Sequence, residues 1–183
     1  MARSPDHPIL TIRLRLRPPR QTDAAAIFAR YSSDPRVTRF LGWPTHRTIA
    51  DTEGFLNFSA NEWERWGAGP LLIESRADGT LLGSTGLGFE TPHQASTGYV
   101  LAYDAWGHGY ATEALTAVRD RASLLAVERV YALCHPTHRA SARVLEKCGF
   151  LCEGTLRGYA EFPNLARGAQ GDVLCYAMRF PRA

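Results

Sequence analysis

From Leu10 to Leu16 apolar residues fall at every second position, with Arg13, Arg15 and Arg17 between and after them. That period of two predicts a strand with one polar face, stopped at Pro18-Pro19. Thr22 is placed to cap a helix whose buried stripe is Ala24, Ile27, Phe28 and Tyr31. Trp43-Pro44 marks a loop, and a second helix is expected from Thr48, carrying Ile49, Phe55, Leu56 and Trp63, with Gly54 weakening it. The pattern then changes. Leu71-Leu72-Ile73 and Leu81-Leu82 flank Ala77-Asp78-Gly79, a tight antiparallel hairpin signal, and a further strand covers Thr97 to Ala102 after the polar loop Thr91 to Gln94.

The clearest helical period runs from Ala111 to Leu125, with Ala111, Ala114, Leu115, Val118, Ala122 and Leu125 on one stripe. Val130 to Leu133 reads as a short buried strand. Thr137 or His138 caps the next helix, whose stripe is Ala140, Val144, Leu145 and Cys148, and Gly149 sits where a left-handed helix end belongs. Segments near Leu151 and from Val173 to Phe180 form a last pair of strands. No repeat or linker interrupts the chain, so residues 1–183 are expected to form one domain.

Composition adds exclusions. With 45% hydrophobic and 21% charged residues the chain has a globular profile. A formal charge of +3 is mild, and the arginines near the start belong to a strand face rather than to a basic helix with stacking aromatics, so nucleic acid is not the expected partner. Cys134, Cys148, Cys152 and Cys175 make no metal-binding spacing, and no metal is expected. No apolar run approaches a membrane span, and the start lacks a signal-peptide core. A cytoplasmic protein with free thiols is expected.

The stretch richest in chemistry is Tyr99 to Ala114, a strand, a turn with Gly107 and Gly109, then a helix. Glycines at such a junction let backbone amides converge on a phosphate at the positive end of the helix dipole. An ordinary glycine turn capping a helix has the same Gly-x-Gly spacing. A dinucleotide fingerprint needs Gly or Ala where Thr112 stands, and a P-loop needs a Gly-Lys-Ser/Thr run that is absent.

Two blocks narrow the choice. Trp106-Gly-x-Gly109-Tyr-Ala-Thr-Glu-Ala114 resembles the acetyl-CoA loop of RimJ/RimL-type ribosomal-protein acetyltransferases, a branch of the GNAT superfamily, and His138-x-x-Ser141 followed by Val144-Leu-Glu-Lys-Cys-Gly-Phe150 resembles that branch's next helix. Order and spacing match, and the likeness spans Leu10 to Phe180. It implies an α/β (α+β) GNAT fold: a twisted, mixed, mostly antiparallel sheet of about six to seven strands, splayed between the fourth and fifth, with about four flanking helices. It further implies acetyl-CoA as cosubstrate and a primary amine as acceptor, whether protein N-terminus, amino acid or small amine, in a monomer or homodimer. On the same resemblance the backbone of Tyr99, Val100 and Leu101 would bond the pantetheine arm, and Trp106, Gly107, His108, Gly109, Tyr110, Ala111 and Thr112 would hold the pyrophosphate.

Direct transfer needs an amine without its extra proton and an acid for the departing thiolate. Ser141 stands where this branch places a serine near the sulfur; a small residue in a tight packing position is the alternative. The tyrosine that serves as acid elsewhere in the superfamily falls on Leu145. Three departures stand out: Asp104 opens the pyrophosphate loop, His138 replaces an asparagine and is a candidate pantetheine contact or proton relay, and Ser96 replaces an acid. The base is therefore open among Glu90, His93 and Glu74. Cys134 beside His135 is a further, covalent candidate. A rival reading, motivated by these departures, is a GNAT-fold module that binds acyl-CoA as a sensor without turnover.

Overall fold

The computed structural model describes residues 8–166 and 168–181. In chain order these form β1 (Ile9–Leu10), β2 (Leu14–Arg17), α1 (Ala24–Ile27), α2 (Pro35–Thr38), α3 (Ile49–Trp66), β3 (Pro70–Ser75), β4 (Leu81–Thr91), β5 (Gln94–Leu101), α4 (Tyr110–Leu124), β6 (Arg129–Cys134), α5 (Arg139–Lys147), β7 (Leu151–Glu161) and β8 (Gln170–Arg179). The strands make one open sheet in the order β1-β2-β3-β4-β5-β6-β8-β7. Every pairing is antiparallel except β5 with β6.

Eight strands replace the expected six to seven, because the Leu10–Leu16 run is broken in two. The break has a cause. Thr11 Oγ1 donates to Glu113 (2.6 Å), and the Arg13 backbone N–H and Nε donate to the same carboxylate (2.8 and 2.7 Å), so the chain bends toward the start of α4. Ile12, on the bend, is 89% exposed although it fits the alternation. Five helices appear rather than four; the extra one, α2, is a single turn capped by Asp34, which accepts from the Arg36 N–H. Thr22 does not cap the first helix. The chain turns earlier, through a 3₁₀ turn over Gln21–Asp23, where Asp23 accepts from the Arg20 N–H (2.7 Å), and a π turn over Phe28–Ser32 follows α1.

Thr48 does begin α3, with Asp51 completing a capping box. The Thr91–Gln94 loop shrinks to a tight turn, so β5 starts three residues before the expected Thr97. In α4 the expected stripe is buried at Ala114, Leu115, Val118 and Ala122, while Ala111 and Leu125 pack at the core's edge. Leu14, Leu16, Leu72, Ile73 and Val130 are wholly inaccessible and form its centre. Their burial is the main source of stability.

One feature of the sheet positions the site. β5 and β6 pair through three residues only, Gln94 with Arg129, Ala95 with Val130 and Ser96 with Tyr131, and then part. Beyond Ser96 the β6-facing edge of β5 has lost its strand partner, so its backbone groups need another. These are the strands expected to splay, numbered one higher because β1 is separate. On the other side β5 stays in register with β4 as far as Gly83 opposite Leu101, where a side chain on Gly83 would lie 2.0 Å from the Val100 carbonyl oxygen.

A candidate active site in the split sheet

A cavity of about 310 Å³ fills the gap; its walls include Thr97 to Leu101 of β5, Ala132 to His135 after the divergence of β6, His138, Ser141 and Leu145 of α5, and Trp106, Gly107 and Ala111 at the start of α4. Trp106 anchors the turn by donating its indole N–H to the Leu101 carbonyl (2.9 Å). Gly107 and Gly109 both have φ of +79°, a conformation that L side chains rarely adopt, which is why glycines stand there. The first intrahelical bond of α4 runs from the Glu113 N–H to the Gly109 carbonyl (3.1 Å), so the N–H groups of Gly109 through Thr112 are the ones its first turn leaves without helical acceptors. They point out of the positive end of a 15-residue helix. That donor set suits a diphosphate.

Arg13 and Glu113 hold this turn in place. Besides its bonds to Glu113, Arg13 donates through Nη1 to the His108 carbonyl (3.0 Å) and lies 4.6 Å over the Tyr110 ring. Composition and spacing do not reveal this role, because the bond joins residues about 100 apart. Asp104 is not a free anion beside the loop: Arg30 grips it with two hydrogen bonds (3.0 and 2.9 Å), which holds its carboxyl below the usual range. Arg30 lies on the π turn, and the pair joins it to the end of β5. It was invisible in the local pattern.

Deeper in the cavity, the Tyr99 hydroxyl lies 2.8 Å from both the carbonyl oxygen and the Oγ of Ser141. Burial pushes the Tyr99 phenol well above its ordinary value, so it stays protonated and donates its one proton to the Ser141 carbonyl. The Ser141 hydroxyl can therefore donate to the Tyr99 oxygen or turn its proton toward the cavity. His138 starts α5 without a side-chain cap; its ring stacks on Phe40, centroids 4.6 Å apart. Burial, then the neighbouring His135, lowers its pKa and keeps the imidazole neutral at pH 7. Cys134 is buried, its thiol pushed up chiefly by desolvation, and its Sγ donates to the carbonyls of His135 and His138. The His135 ring meets the Thr137 hydroxyl (2.9 Å) instead, so no thiol–imidazole dyad is built.

Glu90 does not come to the cavity. It lies at the end of β4, exposed, and accepts from the Tyr131 hydroxyl and from Gln94 Nε2 (2.5 Å), which with Arg129 nearby keeps its carboxyl below the usual range. Glu74 is committed to Arg17 and Arg15, and His93 sits exposed in the hairpin turn beside Glu128. Ser96, where an acid was absent, donates to the Gly88 carbonyl (3.2 Å). The structure thus brings Tyr99, Val100, Leu101, Trp106, Gly107, Ala111, His138 and Ser141 to one cavity, places His108, Gly109, Tyr110 and Thr112 on its rim turn, and leaves Glu90 outside. Sequence reading missed Phe40 and Leu41, which supply another wall from the chain after α2.

Residues 13–151 match the family model of the GNAT acetyltransferase domain, and the chain therefore belongs to the GNAT family of acetyl-CoA-dependent acetyltransferases. It is 33% identical to the uncharacterized N-acetyltransferase YoaA of Bacillus subtilis over 96% of this chain and 98% of that one. Among solved structures, a GNAT-family acetyltransferase from Bacillus anthracis aligns at 25% identity with a TM-score of 0.80, covering 94% of this chain and 98% of the other. RimL, a ribosomal L7/L12 α-N-protein acetyltransferase solved with coenzyme A, shares the fold at 20% identity with a TM-score of 0.83 over 95% and 98% of the two chains. Among the described residues no helix is long and apolar enough to cross a membrane.

Proposed function

We propose that this chain moves an acetyl group from acetyl-CoA to a primary amine by direct attack within a ternary complex, with a protein N-terminus as the first acceptor class to test. The coenzyme A held by RimL, which shares this fold, supports the cosubstrate, and so does the fit of the N–H groups at the start of α4 to a diphosphate. The cosubstrate supplies an activated acyl thioester. Everything else is the work of this chain.

The unpaired edge of β5 beyond Ser96 offers backbone donors and acceptors to an extended arm and to the acyl carbonyl, stabilising charge that develops on its oxygen. Tyr99 donates to the Ser141 carbonyl and meets its Oγ, and so orients the serine, whose hydroxyl turns from the Tyr99 oxygen to give its proton to the departing sulfur. His138, neutral and within the cavity, takes the proton that the amine must lose. With Glu90 outside and Cys134 engaged with carbonyls, His138 and His135 are the bases lining the cavity, and His138 is the more buried.

The Tyr99–Ser141 contact across the split carries this reading, because it joins a protonated phenol and a serine hydroxyl inside the cavity that the free β5 edge opens onto. The test is direct: purified protein with acetyl-CoA and a panel of N-terminal peptides, amino acids and small amines, following thiol release. Turnover above hydrolysis supports it. Tight coenzyme A binding with no turnover on any amine would establish the sensor reading instead.

A further inference from the structure

The two halves of the sheet meet over three residue pairs of β5 and β6, yet the cavity beyond needs walls held at a fixed separation. One wall is Val37, Phe40 and Leu41, from α2 and the segment joining it to α3; another is His135 and His138, from the half that carries α5. The first wall belongs to a connection with no regular structure between Arg39 and Thr48. Something must fix it.

Asn164, in the loop between β7 and β8, does so. Its Oδ1 accepts from the Thr45 backbone N–H (2.9 Å) and the Thr45 hydroxyl (3.1 Å), and its Nδ2 donates to the carbonyls of Thr38 and Trp43 (both 2.8 Å). That uses the full hydrogen-bonding capacity of a carboxamide, two acceptor and two donor sites. The partners bracket the segment that carries Phe40 and Leu41, and the Thr38 and Thr45 hydroxyls close it further at 2.6 Å. Two residues before Asn164, Phe162 is buried and meets the His135 ring edge-on at 4.7 Å; His135 lies 5.1 Å from Phe40, and Phe40 stacks on His138. The contacts form a closed ring: Asn164 to the segment, the segment's Phe40 to the two imidazoles, and His135 through Phe162 back to Asn164.

We infer that Asn164 is a positioning residue for the amine acceptor: by clamping residues 38–45 of one sheet half to the β7–β8 loop of the other, it fixes the wall that Phe40 and the His138 ring stacked on it present to the cavity. This rests on the transferase reading above. By that reading the glycine turn and the β5 edge serve the cosubstrate, so the cavity wall made by the stacked Phe40 and His138 is what remains for the acceptor. A surface-loop asparagine with only a structural role would affect both substrates alike or neither. A clamp on one wall separates them.

The experiment measures KM for acceptor and for acetyl-CoA, with kcat, in wild type, Asn164→Ala, Asn164→Asp and Thr45→Val, using the amine that wild type acetylates best. The expected result for Asn164→Ala is acceptor KM raised at least about tenfold with acetyl-CoA KM within about twofold. Asn164→Asp should be as impaired, since it keeps the Thr45 acceptor but loses both donors and sets a carboxylate against two carbonyls. Thr45→Val, which leaves the Asn164 carboxamide in place, serves where Asn164→Ala does not fold, and should shift acceptor KM in the same direction by less. In Phe40→Ala, adding Asn164→Ala should cost little more, because the clamp acts through Phe40. Acceptor KM unchanged in folded Asn164→Ala, parallel losses for both substrates, or a fall in kcat alone would each overturn the assignment while leaving wild-type turnover to vouch for the transferase reading. No turnover by wild type on any amine would remove that reading and this inference with it.

Discussion

The Tyr99 hydroxyl sits 2.8 Å from Ser141 Oγ, joining a strand on one side of the sheet's split to a helix on the other. Tyr99 cannot readily ionise where it is buried, and its one proton goes to the Ser141 carbonyl, so the serine hydroxyl keeps its own proton to donate. Ser141→Ala should therefore lower kcat by about 100-fold, the scale of one general-acid contribution, while coenzyme A affinity changes by less than about threefold. Tyr99→Phe should lower kcat less, since it removes orientation and leaves the acid. Steady-state kinetics with calorimetry of coenzyme A binding decide both. An unchanged kcat in Ser141→Ala across pH would assign the acid elsewhere.

His138 gives the pH dependence a sign. Its pKa lies below the ordinary value of 6.5 because burial disfavours the imidazolium, so the base is in its working form at neutral pH and is lost as pH falls through that lowered value. A kcat/KM limb below pH 6.5 is expected in wild type and should vanish in His138→Ala, whereas a limb set by the acceptor's own ammonium stays. The same depression means that the unfolded chain binds the proton more tightly, so stability falls as pH drops below 6.5. Glu90→Gln is the control: outside the cavity and bonded to Tyr131, it should change kcat by less than about twofold and leave the limb intact.

Asp104 tests whether a departure from the family pattern damages the site. Its pair with Arg30 is partly exposed, 31% for Arg30 and 66% for Asp104, so Asp104→Ala should cost no more than about 1 kcal/mol in a denaturant titration. Because Arg30 neutralises the carboxylate, removing it should tighten coenzyme A by no more than about threefold, and that small gain should fade at high salt. A tenfold gain would mean that the carboxylate repels the diphosphate directly and weakens the site.

What was legible in the sequence followed from local periods. The stripe Ala114-Leu115-Val118-Ala122, the Asp78-Gly79 hairpin and the Thr48 cap each depend on residues within one or two turns, and the fold keeps them. The alternation from Leu10 to Leu16 promised one strand, and a bond from Thr11 to Glu113, 102 residues away, broke it. The candidate site divides in the same way. The glycine turn and the Ser141 helix were readable as contiguous motifs, but Arg30 beside Asp104, Phe40 against His138 and Asn164 against Thr45 join segments that no local pattern relates. Glu90 looked available because its loop was polar; the tight turn at Pro92-His93 instead sets it beside Gln94 and Tyr131.

Coenzyme A binding to the intact protein, measured by titration calorimetry, tests the diphosphate cradle most directly. Expected is saturable one-to-one binding that weakens by about five- to thirtyfold in Gly107→Ala and Gly109→Ala. The added methyl group meets no atom within 4 Å at Gly107 and only the Arg13 guanidinium, at 3.6 Å, at Gly109, so the cost comes from forcing φ of +79° on alanine, about 1–2 kcal/mol. Folded wild-type protein that takes up neither coenzyme A nor acetyl-CoA would contradict the account at its root.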